Sequence, residues 1–110
     1  MKQYTDESQT AKLIELGFEK PKSIEKMIPQ PVVDGYVHLV SQKAYSIGEL
    51  IEMFEEVASV VISYSYQKNG YYVRVIIPKR EGGGMYRISQ TELVDALYDM
   101  LVRLKEEGMI

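Results

Sequence analysis

An α+β domain, with an antiparallel sheet of three to four strands and about three helices packed mostly on one face, is the fold this 110-residue sequence predicts. Three observations carry that expectation. Two Ser-x-x-Glu boxes, Ser46 to Glu49 and Ser89 to Glu92, each precede an apolar run of helical period, the pattern of a reciprocally capped helix start. Asn69-Gly70 divides two runs of β-forming residues, a strong short-range hairpin signal. The length suits one domain, residues 1–110, and an apolar share of 45% beside 26% charged residues is ordinary for a chain that builds a core.

The first helix is expected from Asp6 to Leu16. Thr5 or Asp6 caps its amide end, Asp6 and Glu7 complement its dipole, and Ala11, Leu13, Ile14 and Leu16 supply the apolar positions. Gly17 stops it, Phe18 folds back on the last turn, and Pro21 prevents a restart. The following stretch to Gly35 contains two prolines and no sustained period, so it reads as a surface loop with a short turn of helix near Ser23 to Met27. Tyr36 to Ser41 reads as a short strand.

In the second helix Ile47, Leu50, Ile51, Phe54 and Ala58 form one apolar stripe, with Glu49, Glu52 and Glu56 opposite. A two-residue turn at Asn69-Gly70 then sets the hairpin register. Tyr66 faces Val73, Tyr64 faces Val75 and Ile62 faces Ile77 on a core surface. Gln67 faces Tyr72, Ser65 faces Arg74 and Ser63 faces Ile76 on a solvated one. Pro78 ends the hairpin, Gly82 to Gly84 allow a loop, and Met85 to Ile88 return as a further strand. The third helix starts at the Ser89 box. Its stripe of Leu93, Leu97, Met100, Leu101 and Leu104 is widened by Val94, Ala96, Tyr98 and Val102 to an arc of roughly 200°, more than one contact requires. Asp99 and Arg103 are spaced to pair on its polar side.

Chemistry is sparse. The chain has no cysteine, which removes disulfides, thiolate metal sites and cysteine nucleophiles. His38 is the one histidine and has no evident metal or triad partner; a solvated face is the simplest reading of Glu49, Glu52, Glu55 and Glu56. The glycines at 82–84 lack the lysine and hydroxyl residue of a phosphate loop. No catalytic, cofactor or metal residue is assigned, and the expectation is a non-enzyme without cofactor. No leader-like or membrane-length apolar run is present, so the expected setting is cytoplasmic.

The net charge of −3 hides a separation. Residues 31–58 carry −4, from Lys43 against Asp34, Glu49, Glu52, Glu55 and Glu56; residues 59–88 carry +4, from Lys68, Arg74, Lys79, Arg80 and Arg87 against Glu81. Two binding readings follow. The surplus arc of the third helix, with Tyr98 and Val102 at its edges, fits an unknown protein partner or a homodimer. The solvated hairpin face, with Tyr72 and Arg74 near Lys68, Lys79, Arg80 and Arg87, combines an aromatic with cations as single-strand nucleic-acid binders do, and is the alternative.

The chain also resembles a family of small prophage and mobile-element proteins of gut bacteria to which no activity is attached. Tyr4, Thr5, Gln9, Leu13, Glu15, Leu16 and Gly17 match its start. Leu93 to Tyr98, Met100, Leu104, Gly108 and Ile110 match its end. Arg103 departs from it, since an aromatic is common there, as does the longer basic hairpin. The resemblance implies a phage or mobile-element context and no catalytic residue.

Overall fold

Asp6 starts the first helix, α1 (Glu7–Glu15), in the predicted way. Its carboxylate accepts from the Gln9 amide at 2.8 Å, and the Gln9 side chain accepts from the Asp6 amide at 3.1 Å. At the other end Gly17 takes φ +97°, and the Phe18 amide reaches the Leu13 carbonyl at 3.1 Å. The structure, a computed structural model, describes residues 1–31, 37–54, 59–76 and 85–110. Glu55, Glu56, Ala58, Lys79, Arg80, the glycines at 82–84 and the His38 side chain therefore lie outside the described residues.

The second element corrects the loop expected before Gly35. Residues Ser23–Pro31 form strand β1, paired antiparallel with β2 (Val37–Ala44), and no helical turn forms near Ser23. Prolines 29 and 31 argue against a central strand, but β1 is an edge, where a residue without an amide donor is tolerated. A register shift between Ile24 and Lys26 lets Ile24 share a face with Met27, Pro29 and Leu39.

Helix α2 (Ile47–Glu52) has the predicted reciprocal cap between Ser46 and Glu49, but it stops after six residues. Phe54 of the stripe is fully buried just past the helix end. The other predicted box fails. Ser89 lies inside strand β5 (Met85–Gln90), opposite Tyr72, and helix α3 (Leu93–Glu106) begins after Glu92 with no side-chain cap. Ladder pairing claims the Ser89 backbone, so the local box gives way to the sheet.

Strands β3 (Ser59–Ser65), β4 (Gly70–Ile76) and β5 form a second antiparallel sheet in the order β3-β4-β5. The hairpin joins through Tyr66 to Asn69 rather than through a two-residue turn, and Asn69 alone takes positive φ, at 50°. Gly70 instead lies flat against β5, where an added Cβ would stand 3.0 Å from the Gln90 carbonyl oxygen. The register is thus displaced by four: Ile62 faces Val73, Ser63 faces Tyr72 and Tyr64 faces Tyr71. An even displacement leaves each side chain on its predicted face.

Helix α3 covers β4 and β5 and packs on α2. The core joins Val73 and Val75 of the sheet to Leu97, Met100, Leu101 and Leu104, with Leu13, Tyr45, Leu50 and Phe54 closing the far side. β3 overhangs this core. Ile62 and Tyr64, expected inside, are exposed, and Tyr66 is 90% exposed in the connecting loop. The β1–β2 sheet projects as an arm, which gives extents of 61 × 33 × 17 Å and a radius of gyration of 16.7 Å. A compact chain of this length has about 13 Å.

Candidate functional site

On the sheet surface away from α3, alternation along β4 brings Tyr72 and Arg74 out together, and the ladder sets Arg74 directly opposite Arg87 of β5. With Val61 and Ser63 from β3, these three side chains line a concavity of 320 Å³. Among the described residues no carboxylate lines it. Like charges in direct cross-strand register are destabilising, and the Nε of Arg74 is buried without a hydrogen-bond partner. An anion seated between the two arginines would relieve both penalties. Lys68 lies 5.7 Å from the centre of the Tyr72 ring, so it belongs to the same face. Of the residues predicted for nucleic-acid contact, Lys68, Tyr72, Arg74 and Arg87 therefore come together. Lys79 and Arg80 lie outside the described residues.

Tyr98 and Val102 sit differently. Both are half-buried and pack against the core of their own chain. Burial, then the carboxylates of Asp99, Asp6 and Glu106, raises the pKa of the Tyr98 hydroxyl. The N-terminal segment and α1 are tied to α3 by Lys2 to Asp95 at 2.8 Å, Gln9 to Asp95 at 2.8 Å and Lys12 to Glu106 at 3.6 Å. Burial opposes the charge on Asp95, but hydrogen bonds from Lys2 and Gln9 outweigh it and hold the carboxyl below its ordinary value. The surplus arc of α3 is thus largely used within the chain. On the polar side Asp99 accepts from the Gln90 side chain at 2.6 Å, and Arg103 reaches Glu107 at 3.5 Å.

The arm is the feature sequence reasoning missed. Ile24, Met27 and Leu39 are 52%, 48% and 62% exposed, and they share one of its faces. The clue was present as β-branched and apolar residues on both sides of Gly35, but prolines 29 and 31 obscured it. The arm's base is held by one acid. The Glu49 carboxylate accepts from the amides of Lys22 at 2.9 Å and Ser23 and Ser46 at 3.2 Å, and from both serine hydroxyls. Burial raises its pKa, but these donors overcome that and lower it. Tyr45 beside it donates to the Glu19 carbonyl at 2.5 Å, and burial, then Glu49 and Glu19, pushes its hydroxyl up to about 12. Glu49 and Tyr45 thus spend their polar atoms on holding the joint, and with Lys20, Lys22 and Glu52 they line a recess of 460 Å³.

Among the described residues no three acidic, histidine or cysteine side chains gather as a metal site, and no helix is long and apolar enough to cross a membrane. No protein-family model, curated protein or solved structure matches the chain.

Proposed function

We propose that the chain is a non-enzymatic interaction module, of phage or mobile-element origin, that engages a protein partner through exposed β structure. The observation that carries this reading is the β1–β2 arm. A lone two-stranded hairpin is marginal in water, and this one presents Ile24, Met27 and Leu39 exposed on one face, with no other described element packed over them. Such a surface gains most by being covered. The test is co-purification from host lysate, comparing the native chain with an Ile24→Thr, Met27→Thr, Leu39→Thr variant. The expected result is a protein recovered by the native chain and lost with the variant, while the thermal melt of the core is retained. Equal recovery by both contradicts the role of the arm.

A second reading is favoured by a separate observation, the Arg74–Arg87 pair with its unpartnered Nε beside Tyr72. Here the sheet face binds single-stranded nucleic acid, with the arginines on phosphates and Tyr72 under a base. Fluorescence anisotropy with a labelled single-stranded oligonucleotide should show affinity that falls with added salt and drops at least tenfold in a Tyr72→Ala, Arg74→Ala variant. Salt-independent binding, or binding equal in the variant, rules this reading out.

A further inference from the structure

Among the described residues, the outer edge of β3 has none of the devices that ordinarily protect a sheet edge. Ser59 to Ser65 contains no charge and no proline, and its side chains are mostly exposed on both faces. Alternate residues of such a strand direct an amide and a carbonyl outward, unpaired, and this is the template for strand addition. The contrast with β1, whose edge carries prolines 29 and 31, is within the same molecule.

The strand is also complementary to itself. Read from either end, Ser-Val-Val-Ile-Ser-Tyr-Ser places serine at the ends, a large apolar residue second from each end and Ile62 in the middle. Antiparallel pairing of two copies about Ile62 sets Ser59 against Ser65, Val60 against Tyr64, Val61 against Ser63 and Ile62 against itself. Val60, Ile62 and Tyr64 then lie together on the α3 side, and no charge meets a like charge across the new ladder. An acidic or basic partner would find nothing on β3 to pair with; a second copy finds its own complement.

Area agrees. The chain exposes 7256 Å². A folded monomer of 12.6 kDa exposes about 6,200 Å². The surplus, roughly 1,000 Å², is shared between the projecting arm and β3, and a standard interface takes about 800 Å² from each partner.

We infer that β3 is a self-association edge, pairing antiparallel with β3 of a second copy about a two-fold axis at Ile62 to form a continuous six-stranded sheet. The axis runs perpendicular to the sheet, so both copies of α3 lie on one side and both arginine-lined concavities on the other. This rests on β3 alone and stands or falls independently of the arm.

Sedimentation equilibrium and site-specific cross-linking test it. The native chain should reach a mass of about 25 kDa, twice its 12.6 kDa, with rising concentration. Ile62→Lys, which sets two ammonium groups face to face at the axis, should remain monomeric. Because the chain has no cysteine, Ile62→Cys introduces a unique thiol. Directly opposed strand residues have Cα atoms about 4.5–5.5 Å apart, within disulfide reach, so mild oxidation should give a covalent dimer without relying on a folded lysine variant. Ser59→Cys should not cross-link, since the pairing separates that residue from its own copy by roughly 20 Å. A monomer at every concentration overturns the inference. So does a dimer that survives Ile62→Lys, cross-linking of Ser59→Cys equal to that of Ile62→Cys, or a dimer abolished by the arm substitutions alone.

Discussion

Glu49 joins three parts of the chain that are distant in sequence. It caps its own helix through Ser46 and receives the Lys22 and Ser23 amides where β1 begins. Its serine box was legible in sequence; its grip on β1 was not, because nothing local marks which chain will pass the far side of a carboxylate. Glu49→Gln keeps the shape and removes the charge, so it should lower stability at pH 7 by about 1–2 kcal/mol in urea titrations, as loss of charged hydrogen bonds does. The pH dependence follows from the lowered pKa. The folded state binds the Glu49 proton less readily than the unfolded chain, so its contribution is present above the ordinary glutamate value of about 4.3. It is lost as pH falls through the lower folded value. The difference between native and Glu49→Gln chains should therefore shrink below pH ~4, and a difference constant across that range contradicts the assignment.

At the scale of elements, periodicity located α1, the start of α2, the body of α3 and the strands around Asn69, because each has a pattern set by its own residues. What failed were features decided elsewhere. The Ser89 box matched a helix start, yet pairing of β5 with β4 drew Ser89 into the ladder. The Asn69-Gly70 turn matched a tight hairpin, yet the close approach of Gly70 to Gln90 held that glycine in the strand and moved the reversal back to Tyr66 to Asn69. Face assignment survived because the displacement is even: Val73 and Val75 are buried, and Tyr72 and Arg74 share the opposite surface. That is why part of the candidate anion face was readable in advance, while the opposition of Arg74 and Arg87 required the register of a third strand. Tyr64 and Tyr66 mark the limit of alternation as a guide to burial. It tells which way a side chain points, and only the extent of α3 decides whether anything covers it.

Over the whole molecule the arrangement is a small core with exposed strands on two sides. Helix α3, α2 and the inner strands satisfy one another, and among the described residues the arm and β3 carry most of the exposed large apolar side chains. Their composition differs. The arm carries an apolar face beside an edge containing prolines, suited to being packed upon; β3 has an uncharged open edge, suited to being paired. A chain that exposes about 1,000 Å² more than its mass requires has surface to spare for contacts with other molecules. The central claim is that this surface is interaction surface, with β3 its self-pairing edge. Amide hydrogen exchange tests it most directly, comparing the native chain with Ile62→Lys at equal high concentration. The account predicts slow exchange at alternate amides of Ser59 to Ser65 in the native chain and fast exchange at the same positions in the variant, with β4 and α3 protected equally in both. Equal, rapid exchange along β3 in both chains would contradict it.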